Sequence, residues 1–282
     1  MSQIHGGDIY RNQVDVDFSV NVNPLGMPKA VGQSLQEAVK NCGKYPDITA
    51  EELKQAVSRM QNVPPSYLLF GNGSSELLLA AAHALMPKKT VIPIPSFYGY
   101  EYAAKAAEGE IIYYQTKAED NYAVTEELCQ VLTEDIDLLF LANPNNPTGL
   151  LVDADTLKKI IARCQDKEIY VVLDECFVEF CNGMHSMISN AKAYGNLILI
   201  RAFTKIFAIP GVRLGYLICS NERILRKISS HLSEWNVSCF AHAAGCACAL
   251  ESDYINQTVC FLTAEREFLA EGLKRRGFAV FP

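Results

Sequence analysis

Seven short apolar runs between residues 67 and 219 constrain this chain more than any other feature. They are YLLFG (67–71), TVIPI (90–94), EIIYY (110–114), DLLFLA (137–142), IYVVLD (169–174), NLILIR (196–201) and RLGYLIC (213–219). Most read as continuous Val, Ile, Leu and Tyr, the pattern of strands covered on both faces. Helical patterns lie between several of them. In ITAEELKQAVSRMQN, Thr49 stands as N-cap and Glu52 closes a capping box, and the helix stops before Pro64-Pro65. SSELLLAAAHALM follows the first strand, and ADTLKKIIARCQD precedes the fifth. This alternation predicts an α/β fold, a mainly parallel seven-stranded sheet flanked by helices.

The balance of 25 Lys+Arg against 32 Asp+Glu, a net charge of −7, argues against nucleic acid or anionic lipid as a partner, since both need a basic face. No apolar run reaches the roughly 18 residues of a membrane span. The opening MSQIHGGDIYRNQVDVDF lacks the pattern of a secretory leader, so a cytoplasmic protein is expected. Ten cysteines lie scattered in apolar runs with no C-x-x-C pair, and read as reduced, mostly buried thiols. Among them, His242 and Cys246 would share a helix face, as two metal ligands might, beside Cys239 and Cys248. The stretch SCFAHAAGCACALE is nevertheless rich in small residues suited to helix packing, and no carboxylate supports a site, so no metal is expected.

In a sheet of this kind ligands sit beyond the carboxyl ends of the strands. After the first strand comes Gly71-Asn72-Gly73-Ser74-Ser75-Glu76, a glycine turn opening a helix, whose N–H groups and hydroxyls suit a phosphate. After the second comes Phe97, an aromatic plate. After the fourth, Asn146 sits in the proline-bracketed turn NPNNPTG. The fifth ends on Asp174, an acid that is costly there without a partner. The sixth leads to Thr204-Lys205, where apolar flanks would lower the amine's pKa, and Arg213 follows at the start of the seventh strand. Each has an ordinary reading alone: a capped helix, a core ring, a plain turn, an N-cap, a surface lysine, a solvated arginine. Together, in this order, a phosphate cradle, a plate, an amide, a buried acid and a desolvated lysine describe a pyridoxal-phosphate site.

NPNNPTG, DECFVEF and FTKIFAIPGVRLGY closely resemble the motifs of fold-type I pyridoxal-phosphate enzymes of the class I/II aminotransferase family, over almost the whole chain. Within that family, HGGDI (5–9), FSVNVNPLG (18–26) and Trp235-Asn236-Val237 are most similar to the branch of L-threonine-O-3-phosphate decarboxylases of cobalamin biosynthesis. Histidinol-phosphate aminotransferases come next. The resemblance implies that Lys205 carries pyridoxal 5′-phosphate covalently, Asp174 pairs with its ring nitrogen, Asn146 donates to the ring 3-oxygen and Phe97 stacks on the ring. It implies that Ser74, Ser75, Thr204 and Arg213 hold the phosphate, and that Tyr45 reaches the neighbouring subunit's cofactor in a homodimer with shared sites. His5, Gly6 and Asn21 match substrate-contacting positions, the substrate being a small phosphorylated amino acid.

The resemblance also implies an N-terminal arm (1–45), a large cofactor domain (46–235) and the start of a small C-terminal domain (236–282). Phe177 stands where the aminotransferases usually have Tyr, which leans toward decarboxylation. Ala202 replaces a hydroxyl residue at the phosphate. Relatives continue past Pro282 into segments bearing arginines for the substrate's anionic groups. The small domain is therefore expected to be incomplete, and a cofactor-binding form without turnover is a further reading.

Overall fold

The computed structural model describes residues 6–280; His5 lies outside them. The seven expected runs form seven strands: β1 (Leu68–Gly71), β2 (Lys89–Ile94), β3 (Glu110–Gln115), β4 (Leu138–Ala142), β5 (Tyr170–Asp174), β6 (Leu197–Ala202) and β7 (Gly215–Ile218). They lie side by side in the order β1-β7-β6-β5-β4-β2-β3. All neighbours are parallel except β7, which runs against both β1 and β6. The two reversals cancel, so β1 points the same way as the rest.

The continuous apolar runs are explained by two buried layers. Leu139, Leu141, Val171, Leu173 and Leu199 pack on one side of the sheet, and Leu138, Phe140, Val172, Ile198 and Ile200 on the other. Strand side chains alternate in direction, so both odd and even positions must be apolar.

Nine α-helices are present among the described residues. They are α1 (Lys29–Ala38), α2 (Glu51–Gln61), α3 (Ser74–Leu85), α4 (Tyr98–Ala106), α5 (Ala154–Asp166), the single turn α6 (Phe203–Ile206), α7 (Glu222–Ser229), α8 (Cys239–Cys248) and α9 (Ser252–Arg275). None is long and apolar enough to cross a membrane. Within residues 236–282, expected to be the start of the small C-terminal domain, Val237, Ala241, Ala244 and Cys248 are buried in the core on the first of these two sides.

Two local expectations are corrected. Helix α2 begins at Glu51 behind Ala50, which is left-handed with φ 47° and makes no side-chain cap. Asp47 supplies the cap instead: its carboxylate accepts from Glu51 N at 2.8 Å, Thr49 N at 2.9 Å and Thr49 Oγ1 at 2.7 Å. These bonds, the one from Glu51 foremost, lower the Asp47 carboxyl to about 2. An acidic side chain four residues ahead of the first helical residue does what Thr49 and Glu52 were expected to do, and Glu52 is left free for other contacts. The seventh strand begins at Gly215, because Arg213 is itself left-handed (φ 61°) and turns the chain before pairing starts.

Candidate active site

The sheet's direction brings the chemistry to one edge. The carboxyl ends of β1, β5 and β6 lie together there, and the antiparallel β7 starts from the same edge, its Gly215 pairing both Gly71 and Ala202. Gly73, Asp174, Lys205 and Arg213 are therefore neighbours although spread over 140 residues of sequence.

The phosphate cradle is built by close backbone approach. Gly73 has φ +80°, and a Cβ on it would stand 2.4 Å from Arg213 Nη2. A Cβ on Gly215 would stand 2.6 Å from Ser74 N. Only glycine at both places lets the guanidinium and β7 close on the turn. Helix α3 starts at Ser74 with no side chain capping it, so its first N–H groups point unclaimed toward the cradle. The turn is braced from behind by Glu76, whose carboxylate accepts from Asn72 N at 2.6 Å and from Asn236 Nδ2 at 2.8 Å. Ser74 is half-buried and Ser75 exposed, while Thr204 is buried.

Asp174 is 7% exposed and accepts from Tyr100 OH on Oδ2 and from Cys176 N on Oδ1, both at 2.8 Å, with the Cys176 thiol as a further donor. Burial raises its carboxyl pKa although the hydrogen bonds from the Cys176 thiol, Cys176 N and Tyr100 oppose that shift. A buried acid in this condition is relieved by a cation facing it. Burial pushes Lys205 the other way, below the usual lysine value, with the Arg213 charge adding to the effect. Cys176 links the two groups. Its thiol is pushed well up by burial and by Asp174, touches Ser74, and acts electrostatically on Lys205.

Three asparagines crowd the fourth strand's end, and two are spent on structure. Asn143 donates to His185 O and accepts from Val152 N, and Asn145 donates to Pro95 O and Thr148 Oγ1. Asn146 keeps its amide free of such bonds among the described residues. It lines a cavity of about 690 Å³ with Asn21, Phe177, Phe180, Glu265 and Arg266. Lys205 and Asp174 are not among that cavity's lining residues. Phe97 caps α4 and meets Tyr100 edge-on at 5.6 Å. Gly6 packs against Ser19 and does not line the cavity. Tyr45 is 81% exposed, 4.8 Å from the Trp235 ring.

Sequence reasoning missed Tyr100, Cys176, Asn23 and Arg201. Asn23 N donates to Lys205 O at 3.1 Å, and its side chain donates to Ile206 O at 2.7 Å and Thr258 Oγ1 at 2.8 Å, so the N-terminal segment pins the lysine turn to α9. Its signal was present in FSVNVNPLG, where Asn23 lies between Val22 and Pro24.

The cradle, the uncompensated buried acid, the desolvated amine and the free amide match the phosphate, ring nitrogen, aldehyde and 3-oxygen of pyridoxal 5′-phosphate. Comparison with known proteins agrees with this fit. The chain belongs to the aminotransferase class I and II family, whose model matches residues 13–282. It is 36% identical to the threonine-phosphate decarboxylase of Salmonella typhimurium over 82% of this chain, spanning 63% of that protein's length. It is 32% identical to histidinol-phosphate aminotransferase 1 of Cupriavidus pinatubonensis over 93% of this chain and 70% of that one. Its fold superposes on the histidinol-phosphate aminotransferase of Clostridium acetobutylicum with a TM-score of 0.88 at 31% identity, covering 94% of this chain and 79% of that one.

The Asp174 environment gives a prediction. Asp174→Asn keeps the shape and removes a charge that burial disfavours, so the cofactor-free protein should melt at the same temperature or higher. A folded-state pKa above the unfolded one favours folding below the unfolded value, and that advantage is lost as pH rises through the folded value. At neutral pH the apo protein therefore bears the cost that Asn removes. Pyridoxal phosphate should then bind ten- to a hundredfold more weakly, as expected for losing a charged hydrogen bond of about 1.5–3 kcal/mol. Thermal melts with and without cofactor test both halves; an unchanged cofactor-induced shift would refute the pairing.

Proposed function

We propose that this chain is a pyridoxal-phosphate-dependent enzyme of small phosphorylated amino acids, and that it decarboxylates L-threonine O-3-phosphate. The observation that carries the choice of reaction is Phe177. It lines the cavity beside Asn146 and brings no hydroxyl to that wall, and the Salmonella decarboxylase is among the most similar relatives.

In this reading Lys205 Nζ, whose pKa burial lowers, is the amine that would hold the cofactor aldehyde, with loss of water, and would carry a proton at the substrate Cα. Asp174 would keep the ring nitrogen protonated. Asn146 would donate to the ring 3-oxygen, Phe97 would cover the ring, and Ser74, Ser75, Thr204 and Arg213 would hold the phosphate. When bound, the cofactor supplies an electron sink for the pair released at Cα. Which Cα bond breaks is then decided by how the substrate is held. Asn21, Gly6 and His5 are proposed on the substrate side, and Tyr45 is proposed to reach a second subunit's site in a homodimer. The domain division at 45 and 235 belongs to the same proposal.

Arg266 on α9 is the cation this cavity offers to an anionic substrate. Arg266→Ala is expected to raise KM for phosphothreonine about tenfold or more, with a smaller change in kcat, since an exposed cation acts mainly in binding. An unchanged KM would remove it from the substrate's path.

The deciding experiment supplies phosphothreonine and measures carbon dioxide, then supplies histidinol phosphate with 2-oxoglutarate and measures glutamate. Carbon dioxide without amino transfer supports the proposal. Glutamate formation would make the chain an aminotransferase, a reading favoured by the 0.88 superposition on the Clostridium enzyme. Cofactor bound at Lys205 with neither product would mark a binding form without turnover.

A further inference from the structure

Helices α2 and α8 bring together three side chains that the proposed chemistry does not use. One ligand atom each from Glu52, His242 and Cys246 lies within 4.8 Å of the other two, and His242 Nδ1 is 4.0 Å from Cys246 Sγ. We propose that these three residues form a binding site for a divalent transition-metal ion of zinc type, clamped between the two helices.

The sequence dictates the arrangement in two steps. On α8 the histidine and cysteine are four residues apart and so lie one above the other. The small residues around them, read as a packing surface, are what brings in the missing carboxylate. Gly245 lets α8 approach so closely that a Cβ there would stand 2.5 Å from Leu53 Cδ1. Leu53 follows Glu52 in the first turn of α2, so the contact that buries the leucine delivers the glutamate to the His/Cys face. Because Asp47 caps α2, Glu52 is not held back by a capping role.

The donor set selects the ion. One carboxylate oxygen, one imidazole nitrogen and one thiolate sulfur suit zinc, and the sulfur disfavours magnesium or calcium. Metal–ligand bonds of roughly 2.0–2.3 Å at tetrahedral angles space donor atoms by roughly 3.5 Å, which small rotamer changes reach from the separations here. Among the described residues His242 also lacks the hydrogen bonds that ordinarily account for a buried imidazole nitrogen: Nε2 is buried without a partner there, and Nδ1 makes the long contact to the thiol. On binding, the Cys246 S–H bond breaks, its proton goes to solvent and the sulfur electron pair forms the metal bond, with no change of oxidation state. Water completes the tetrahedron.

The test uses the full chain, stripped of metal by a chelator and titrated with Co²⁺ as a coloured substitute. Ligand-field bands of tetrahedral cobalt fall in the red, clear of any pyridoxal absorption, so turnover is not the readout. One cobalt per chain is expected, displaced by Zn²⁺, and Zn²⁺ should raise the melting temperature. Cys246→Ser should abolish the bands, and Glu52→Gln should weaken binding about tenfold or more, each with a far-UV spectrum like the wild type. Absence of tetrahedral bands in the wild type, or bands that persist in both variants, would overturn the proposal.

Discussion

Lys205→Ala is expected to fold normally and to lose all covalent attachment of pyridoxal phosphate. The lysine's main chain is held without its side chain: its carbonyl accepts from Asn23 N at 3.1 Å and Ala208 N at 3.3 Å, so truncation leaves the turn in place. No salt bridge of Lys205 to the described residues is lost, and a desolvated amine is removed. Borohydride treatment of wild-type protein with the cofactor should fix one added mass on the peptide containing residue 205, and none in the variant. Turnover should fall by at least about 10²–10⁴, the usual contribution of a positioned proton carrier. The wild-type capture rate should rise with pH and level off below the free-lysine value near 10.4, because burial lowers this amine's pKa. The sign also fixes a stability effect: a depressed folded value favours folding above the unfolded pKa, and that advantage is lost as pH falls through the folded value. Labelling of another lysine with unchanged turnover would show the nucleophile to be misassigned.

How far the sequence reveals this site depends on whether a residue's partner is local. Six of the strands were legible because burial leaves a nearly unbroken apolar run, the edge strand β3 through its Ile and Tyr residues although it is half exposed, and the glycine turn was legible because a positive φ at Gly73 demands glycine. Lys205 and Asp174 stood out as charges inside such runs. Tyr100 did not, because its reason for being polar is Asp174, 74 residues away. Cys176 looked like another small hydrophobe until three strand ends converged on it. The α2 cap failed for a related reason. Thr49 and Glu52 fit the sequence rule, but Asp47 reaches the same N–H groups from outside the helix. Glu52 looked like a capping residue, and its approach to His242 depends on packing at Gly245, which no local pattern announces.

Arg201→Ala is the substitution expected to cost most in stability. Arg201 lies in β6, and its guanidinium is buried with Nη2 and Nε 2.8 and 3.1 Å from Glu175 Oε2, and Nη1 3.3 Å from Glu179 Oε1 and 2.8 Å from Gln61 Oε1. Burial works to discharge the arginine, but Glu175 and Glu179 outweigh it and hold it charged. Glu175 is fully buried, so removing the arginine strands a carboxylate with Ser186 Oγ and Met187 N as its remaining donors among the described residues. Breaking a buried pair in this way costs about 3–5 kcal/mol, which urea unfolding would register as a large drop in midpoint. The double variant with Glu175→Gln should recover part of that loss, since the stranded charge is then gone. Burial already raises the Glu179 carboxyl, with Arg201 pulling against it. A raised folded value favours folding below the unfolded pKa near 4.3 and loses that advantage as pH rises through the folded value. Without Arg201 the folded value rises further, so the variant's deficit should be larger at about pH 8 than at about pH 5. The effect should reach the site as well, because Glu175 adjoins Asp174 and Arg201 stands four residues before Lys205. The clamp therefore fixes the two strand ends that carry the acid and the amine, and cofactor affinity should weaken along with stability. A loss below about 1 kcal/mol, independent of pH, would mean that water replaces the arginine and that the strand ends are held by packing alone.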